Sequence, residues 1–117
     1  MDLDGVVLVD KEPGRTSFET VNLVKKRLKA SKAGHAGTLD KSASGLLLVC
    51  VNRATAFQNL LMFMEKTYRG RISLGIQTDT LDRYGRIVRT GVTRCPPRRE
   101  LSSVLQGFTG RIQQVPP

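Results

Sequence analysis

A chain of 117 residues with 39% hydrophobic residues can bury a core, and its length suits one domain or a piece of one. Nineteen Lys and Arg against ten Asp and Glu leave a formal charge of +9, which favours a polyanionic partner such as a nucleic acid. The hydrophobic content excludes a disordered chain; no long apolar segment or N-terminal leader pattern stands out, so a reducing cytoplasm is expected, and two cysteines with one histidine show no metal-ligand spacing.

Residues 5–10 are a short apolar run between turn formers, the pattern of a buried strand. Lys11-Glu12-Pro13-Gly14 turns the chain. Thr16, with Glu19 three positions on, forms a capping box and predicts a helix over residues 17–29. Val21, Val24 and Leu28 share its apolar face, and Lys25, Lys26, Arg27 and Lys29 cover the rest. Next comes Gly34-His35-Ala36-Gly37-Thr38-Leu39-Asp40-Lys41-Ser42-Ala43-Ser44, closed by Gly45. An apolar strand is expected over residues 46–51, with Cys50 as a small buried hydrophobe. Residues 53–64 read as a second helix, and residues 67–76 alternate as a strand with a basic outer face. Residues 79–85 are rich in turn formers, and residues 86–89 return as a hairpin partner. A helix over 98–107 buries Leu101, Val104, Leu105 and Phe108, and residues 112–115 form a last strand. Strands and helices without regular β-α-β alternation predict an α+β fold, a largely antiparallel sheet flanked by helices. The ending, Val115-Pro116-Pro117 directly after a strand-like stretch, suggests that residues 1–117 stop partway through a longer protein.

Candidate functional residues gather on the glycine loop. Gly34, Gly37 and Gly45 shape a backbone that can approach a ligand closely. Asp40 is the candidate catalytic carboxylate; its other reading is a turn aspartate. His35, the one histidine, either contacts a phosphate or base or is structural. Tyr68 lies among Lys66, Arg69 and Arg71, and either stacks on a nucleobase or packs half-buried in a strand. Arg15, Lys32, Arg69 and the basic cluster at 25–29 are candidates for contacts to an RNA backbone.

These residues resemble a known family over essentially the whole chain. Asp10-Lys11-Glu12-Pro13-Gly14-Arg15-Thr16-Ser17 is similar to the D-K-P-x-G-x-T-S opening motif of the TruB family of tRNA pseudouridine-55 synthases, with the proline one position later. Gly34 to Asp40 resembles the family's G-H-x-G-T-L-D signature, and Ser44-Gly45-Leu46-Leu47 its continuation. Arg53-Ala54-Thr55, Lys66-Thr67-Tyr68-Arg69, Leu74-Gly75-Ile76-Gln77-Thr78-Asp79-Thr80-Leu81-Asp82 and Gly110-Arg111-Ile112-Gln113-Gln114-Val115-Pro116-Pro117 match further blocks in order. Of these, the block starting at Leu74 separates tRNA enzymes from guide-RNA-directed relatives. Lys41 and Ser42 depart from the Pro and Leu common in the loop.

The resemblance implies isomerisation of a tRNA T-loop uridine after base flipping, with Asp40 catalytic, His35 near the vacated stack, Tyr68 on the flipped uracil, and no metal or cofactor. It implies tRNA as partner and no membrane. It also implies that an arginine pairing with the aspartate, a second tyrosine, a pocket leucine and an RNA-binding domain follow beyond residue 117, in a missing segment or a partner chain. Two other functions compete. A non-catalytic RNA-binding fragment or split subunit would need a C-terminal partner. A haloacid dehalogenase-type phosphotransferase would use Asp2-Leu3-Asp4-Gly5, but lacks the strand that should precede its first aspartate.

Overall fold

The apolar run expected as a buried strand forms Gly5–Lys11 (β1), but only every second side chain is turned toward the core. Val7 and Val9 pack on the core, while Val6 and Leu8 point the other way and stay exposed. The computed structural model describes residues 3–91 and 94–115. The chain divides into two units, Met1–Tyr68 and Arg69–Pro117.

In the first unit Gly45–Val51 (β3) is the central strand and pairs antiparallel with β1 and with a short strand, Ala33–His35 (β2). Leu47, Val49 and Val51 are buried on the face shared with Val21 and Ala30 of the helical layer. Each such side chain contributes about 1.5–3 kcal/mol by leaving water. Cys50 is buried, as its apolar context predicts. The short strand was not expected: Gly34 and His35 belong to the sheet rather than to the loop, because the Gly34↔Cys50 and His35↔Val49 pairs extend the ladder.

The helix Ser17–Arg27 (α1) starts where the capping box places it. The Thr16 hydroxyl accepts the Glu19 N–H at 3.1 Å, and Glu19 Oε2 accepts the Thr16 N–H at 2.7 Å. It ends before the expected residue 29. Lys29 adopts φ 50°, and its N–H and that of Ala30 bond back to the Lys26 and Lys25 carbonyls. This is the left-handed closure that glycine usually provides, here carried by a lysine.

The helix expected over 53–64 is split into a 3-10 helix, Asn52–Phe57, and a short α-helix, Gln58–Met62 (α2). The Thr55 hydroxyl bonds to the Asn52 carbonyl three residues back at 2.8 Å, which suits the tighter winding. Asn52 also ties the chain together: its Oδ1 accepts the Ser31 and Lys32 N–H groups and its Nδ2 donates to the Leu3 carbonyl.

The second unit holds the hairpin of Ile76–Thr78 (β4) and Ile87–Thr90 (β5), joined through the expected turn, and the helix Arg98–Gln106 (α3). Three expectations fail here. Residues 67–75 form no strand, because alternation supplies a face but no partner strand lies alongside among the described residues. Leu101, Val104, Leu105 and Phe108 share a helical face but all are exposed, since no described element covers it. Residues 112–115 likewise pair with nothing described, and Pro116 and Pro117 lie outside the described residues. The described elements are nonetheless α+β with antiparallel pairing throughout.

The bonds from the Thr16 backbone and hydroxyl, aided by the Lys41 and Arg15 charges, hold the Glu19 carboxyl below its ordinary value of 4.5. A carboxyl lowered in the fold stabilises it above the unfolded value, and the contribution is lost as pH falls through the folded value. Glu19→Gln is therefore expected to lose less thermal stability than the parent chain between about pH 5 and about pH 3, read as Tm by circular dichroism.

Candidate active site

Residues 36–44 link β2 to β3 at the end of the sheet where Lys11 pairs with Gly45. Ala36 continues the ladder through its N–H to the Leu48 carbonyl, at 2.9 Å. Gly37 then turns the chain at φ 105°, a conformation closed to most side chains. Beyond it the loop is pinned on both sides of Asp40.

On one side Leu39 packs its side chain against the core. Its backbone is held by the buried Ser17 hydroxyl, which accepts the Leu39 N–H at 2.9 Å and donates to the Leu39 carbonyl at 3.0 Å. On the other side the Lys41 carbonyl accepts the Gly14 N–H at 2.7 Å and meets Lys11 Nζ at 3.4 Å. Lys11 is 1% exposed. Its ammonium also donates to the Arg15 carbonyl at 2.7 Å and to the Glu12 carbonyl at 3.1 Å, so all three of its protons meet an oxygen.

Asp40 sits between these anchors. Its carbonyl closes a turn with the Ala43 N–H at 3.0 Å. Its side chain is exposed, and among the described residues the carboxylate has no hydrogen bond or ion pair. A turn aspartate would spend its carboxylate on nearby N–H groups. This one leaves it open to solvent on a fixed backbone.

His35 is half-buried on β2, and its Nδ1 is shielded from water with no hydrogen-bond partner. A buried nitrogen in that state is costly unless something fills the bond. Gly34 lies where a Cβ would run into the Gln58 side-chain amide. The third loop glycine, Gly45, opens β3. A Cβ on Gly37 would lie 3.3 Å from Lys66 Cε, so the chain leading to Tyr68 passes the glycine loop. Tyr68 itself is exposed.

The candidate backbone contacts are more scattered. Arg15 lines an open groove of about 520 Å³ with Glu12, Pro13, Gly14 and Glu19, so two carboxylates offset its charge there. Lys32 precedes Ala33, which pairs with Val51, six residues along β3 from Gly45. That separation is about 20 Å of strand, so Lys32 and Asp40 stand at opposite ends of the sheet. Arg69 belongs to the second unit. Among the described residues no group of three His, Cys, Asp or Glu could hold a metal ion, and no helix is long and apolar enough to cross a membrane. Of the phosphotransferase motif, Asp2 lies outside the described residues, and the Asp4 carboxylate is occupied by the Arg53 N–H at 2.9 Å.

The sequence reading passed over Lys11 and Ser17 as functional positions. Ser17 carried a signal, one turn before Val21 and two before Val24 on the apolar face of the helix; Lys11 carried none, because the unbroken apolar run at 6–9 does not mark which face is inward.

A family model described as TruB family pseudouridylate synthase (N terminal domain) matches residues 25–117, a span that holds the whole glycine loop. The chain belongs to the TruB family. A tRNA pseudouridine synthase B from Caldanaerobacter subterraneus subsp. tengcongensis is 46% identical across all of this chain and 41% of its own length. Those of Aquifex aeolicus and Syntrophobacter fumaroxidans are 47% and 48% identical, over 98% and 96% of this chain and 40% and 37% of their own. The chain thus spans about two fifths of the length of these TruB relatives.

The anchoring of the TruB loop is testable by stability. Lys11→Met removes a buried donor from three carbonyls and is expected to cost about 3 kcal/mol in urea unfolding. Ser17→Ala leaves the Leu39 N–H and carbonyl unpaired and is expected to cost about 1–3 kcal/mol.

Proposed function

We propose that this chain carries the aspartate-bearing part of a cytoplasmic tRNA pseudouridine synthase that acts on the T-loop uridine at position 55. The observation that carries the reading is the Asp40 carboxylate: unpartnered and exposed, between neighbours held on both sides. Family membership and the names of the relatives support the reaction class.

In that reaction the N1–C1′ bond of the nucleoside breaks, the uracil turns, and a C5–C1′ bond forms. The proton on C5 leaves and N1 gains one, so the product is an isomer. Asp40 acts either as nucleophile toward the nucleoside or as base toward the ribose, and both roles need the ionised carboxylate. The target uridine is stacked in a folded loop and is flipped out at a cost of a few kcal/mol. His35 occupies the vacated stack. Tyr68 stacks on the flipped uracil; Lys32, at the far end of the sheet, meets the RNA backbone away from that base, and Arg15 and Arg69 are further backbone contacts.

Turnover requires polypeptide corresponding to the rest of the relatives' length. Leu8 and Leu46 lie near the Asp40 end of the sheet at 69% and 64% exposure, which marks an apolar face that further chain would cover. The cation that would hold Asp40 ionised in a closed pocket comes from there as well. On a second reading the chain alone binds tRNA without turning it over; the absence of any ion pair to Asp40 among the described residues favours it for the isolated chain.

The test is tritium release from tRNA labelled at C5 of uridine. This chain is assayed alone and joined to the C-terminal part of the Aquifex aeolicus relative. The joined protein is expected to form pseudouridine, and Asp40→Asn to lower the rate by about a thousandfold or more while changing tRNA affinity less than about twofold. Full activity of Asp40→Asn would refute the assignment, and turnover by the chain alone would remove the second reading.

A further inference from the structure

The second unit contains an aromatic side chain that the proposed chemistry does not use. The β4–β5 turn reads Asp79-Thr80-Leu81-Asp82-Arg83-Tyr84-Gly85-Arg86. Two aspartates organise it from within. Asp82 Oδ1 accepts the Thr80 hydroxyl at 2.7 Å, the Tyr84 N–H at 2.9 Å and the Gly85 N–H at 3.1 Å. Those donors, the Thr80 hydroxyl foremost, hold the Asp82 carboxyl below its ordinary range. Asp79 Oδ1 accepts the Arg86 N–H at 2.8 Å, and its Oδ2 pairs with Arg86 Nε at 3.2 Å. Thr78 closes the ring of bonds by donating to the Asp82 carbonyl at 2.6 Å. Gly85 is needed for space, since a Cβ there would run into Thr80 Oγ1 and Asp79 Oδ1.

This turn presents one aromatic side chain. Tyr84 is 68% exposed, and the Arg83 guanidinium lies 5.5 Å from its ring centroid. The ring gains little by burial, so packing does not explain it. A ring on a braced turn loses little freedom when a flat partner stacks on it. An adjacent guanidinium adds charge for a phosphate and a second planar surface. Both turn carboxylates are engaged by N–H and hydroxyl donors, while Arg83, Arg86 and Arg89 give the hairpin a positive exterior.

We propose that Tyr84, flanked by Arg83, is a second stacking platform that takes an unpaired RNA base other than the uridine being isomerised. Its ligand is the RNA of the proposed function, so it rests on that reading, but it assigns a separate contact on a separate unit. The site selects a splayed-out base by its flat face and a neighbouring phosphate by charge, and carries no base-specific hydrogen-bonding code.

The chain has two tyrosines and no tryptophan, which makes the site visible by NMR. The 117-residue chain with ¹³C-labelled tyrosine rings is titrated with unmodified tRNA transcript, and a Tyr68→Phe sample assigns the remaining ring signals to Tyr84. The Tyr84 signals are expected to move upfield with the same midpoint as binding. In parallel, Tyr84→Ala is expected to weaken tRNA binding about tenfold, with Tyr84→Phe close to the parent chain. Arg83→Gln is expected to lower the slope of log affinity against log salt by about one, a change Tyr84→Ala does not make. Binding of tRNA with unmoved Tyr84 signals and an unaffected Tyr84→Ala variant overturns this proposal and leaves the synthase reading standing. Absence of any tRNA binding by the chain overturns the platform, whereas the tritium assay on the joined protein still decides the synthase reading.

Discussion

The buried Lys11 ammonium is the contact on which the site depends. One charged group, out of reach of water, bonds to carbonyls of Glu12, Arg15 and Lys41, so the turn after β1 and the loop before β3 share a single donor. A lysine in that position is stable only while those oxygens surround it. Ser17 acts in the same way from the start of α1, bonding both backbone groups of Leu39. Strand, helix and loop thus converge on the two residues that flank Asp40.

This arrangement separates position from chemistry. The backbone around Asp40 is fixed by other residues, so its carboxylate is not needed for the fold and remains available. The pattern fits a functional carboxylate better than a structural one, because a structural aspartate is identified by the bonds it makes. Asp79 and Asp82 in the second unit provide the contrast within the same chain: both are consumed in bracing a turn. The elements present hold the loop, β1 and β3 leave apolar side chains exposed, and the relatives are longer than this chain.

Much of this was legible in the residues. The capping box at Thr16 and Glu19, the apolar runs of β1 and β3 and the turn formers at 79–85 all specify local structure, and each formed. The glycine loop was recognisable because Gly37 needs its unusual backbone and Asp40 stands beside it. What failed had a common cause. Periodicity marks which side of an element is apolar, not whether a partner exists to cover it, so the alternation at 67–75 gave no strand and the α3 stripe no core among the described residues. The early end of α1 depended on Lys29 taking a conformation that its residue type does not announce. Lys11 belongs by sequence to the turn after β1 and Ser17 to the first position of α1, and neither assignment announces a buried side chain. Leu39, the partner of Ser17, is 22 positions away, and Lys11 adds the Lys41 carbonyl, 30 positions away, to two local ones; only the fold brings the distant partners near.

Amide hydrogen exchange followed by NMR tests this account most directly, because the N–H groups of Gly14 and Leu39 donate to the two anchors of the Asp40 loop. The account predicts protection at both amides comparable to that of Val49 in the central strand, and its loss at Gly14 in Lys11→Met and at Leu39 in Ser17→Ala while Val49 stays protected in each. Exchange of Gly14 and Leu39 at unfolded-chain rates in the parent protein would contradict it.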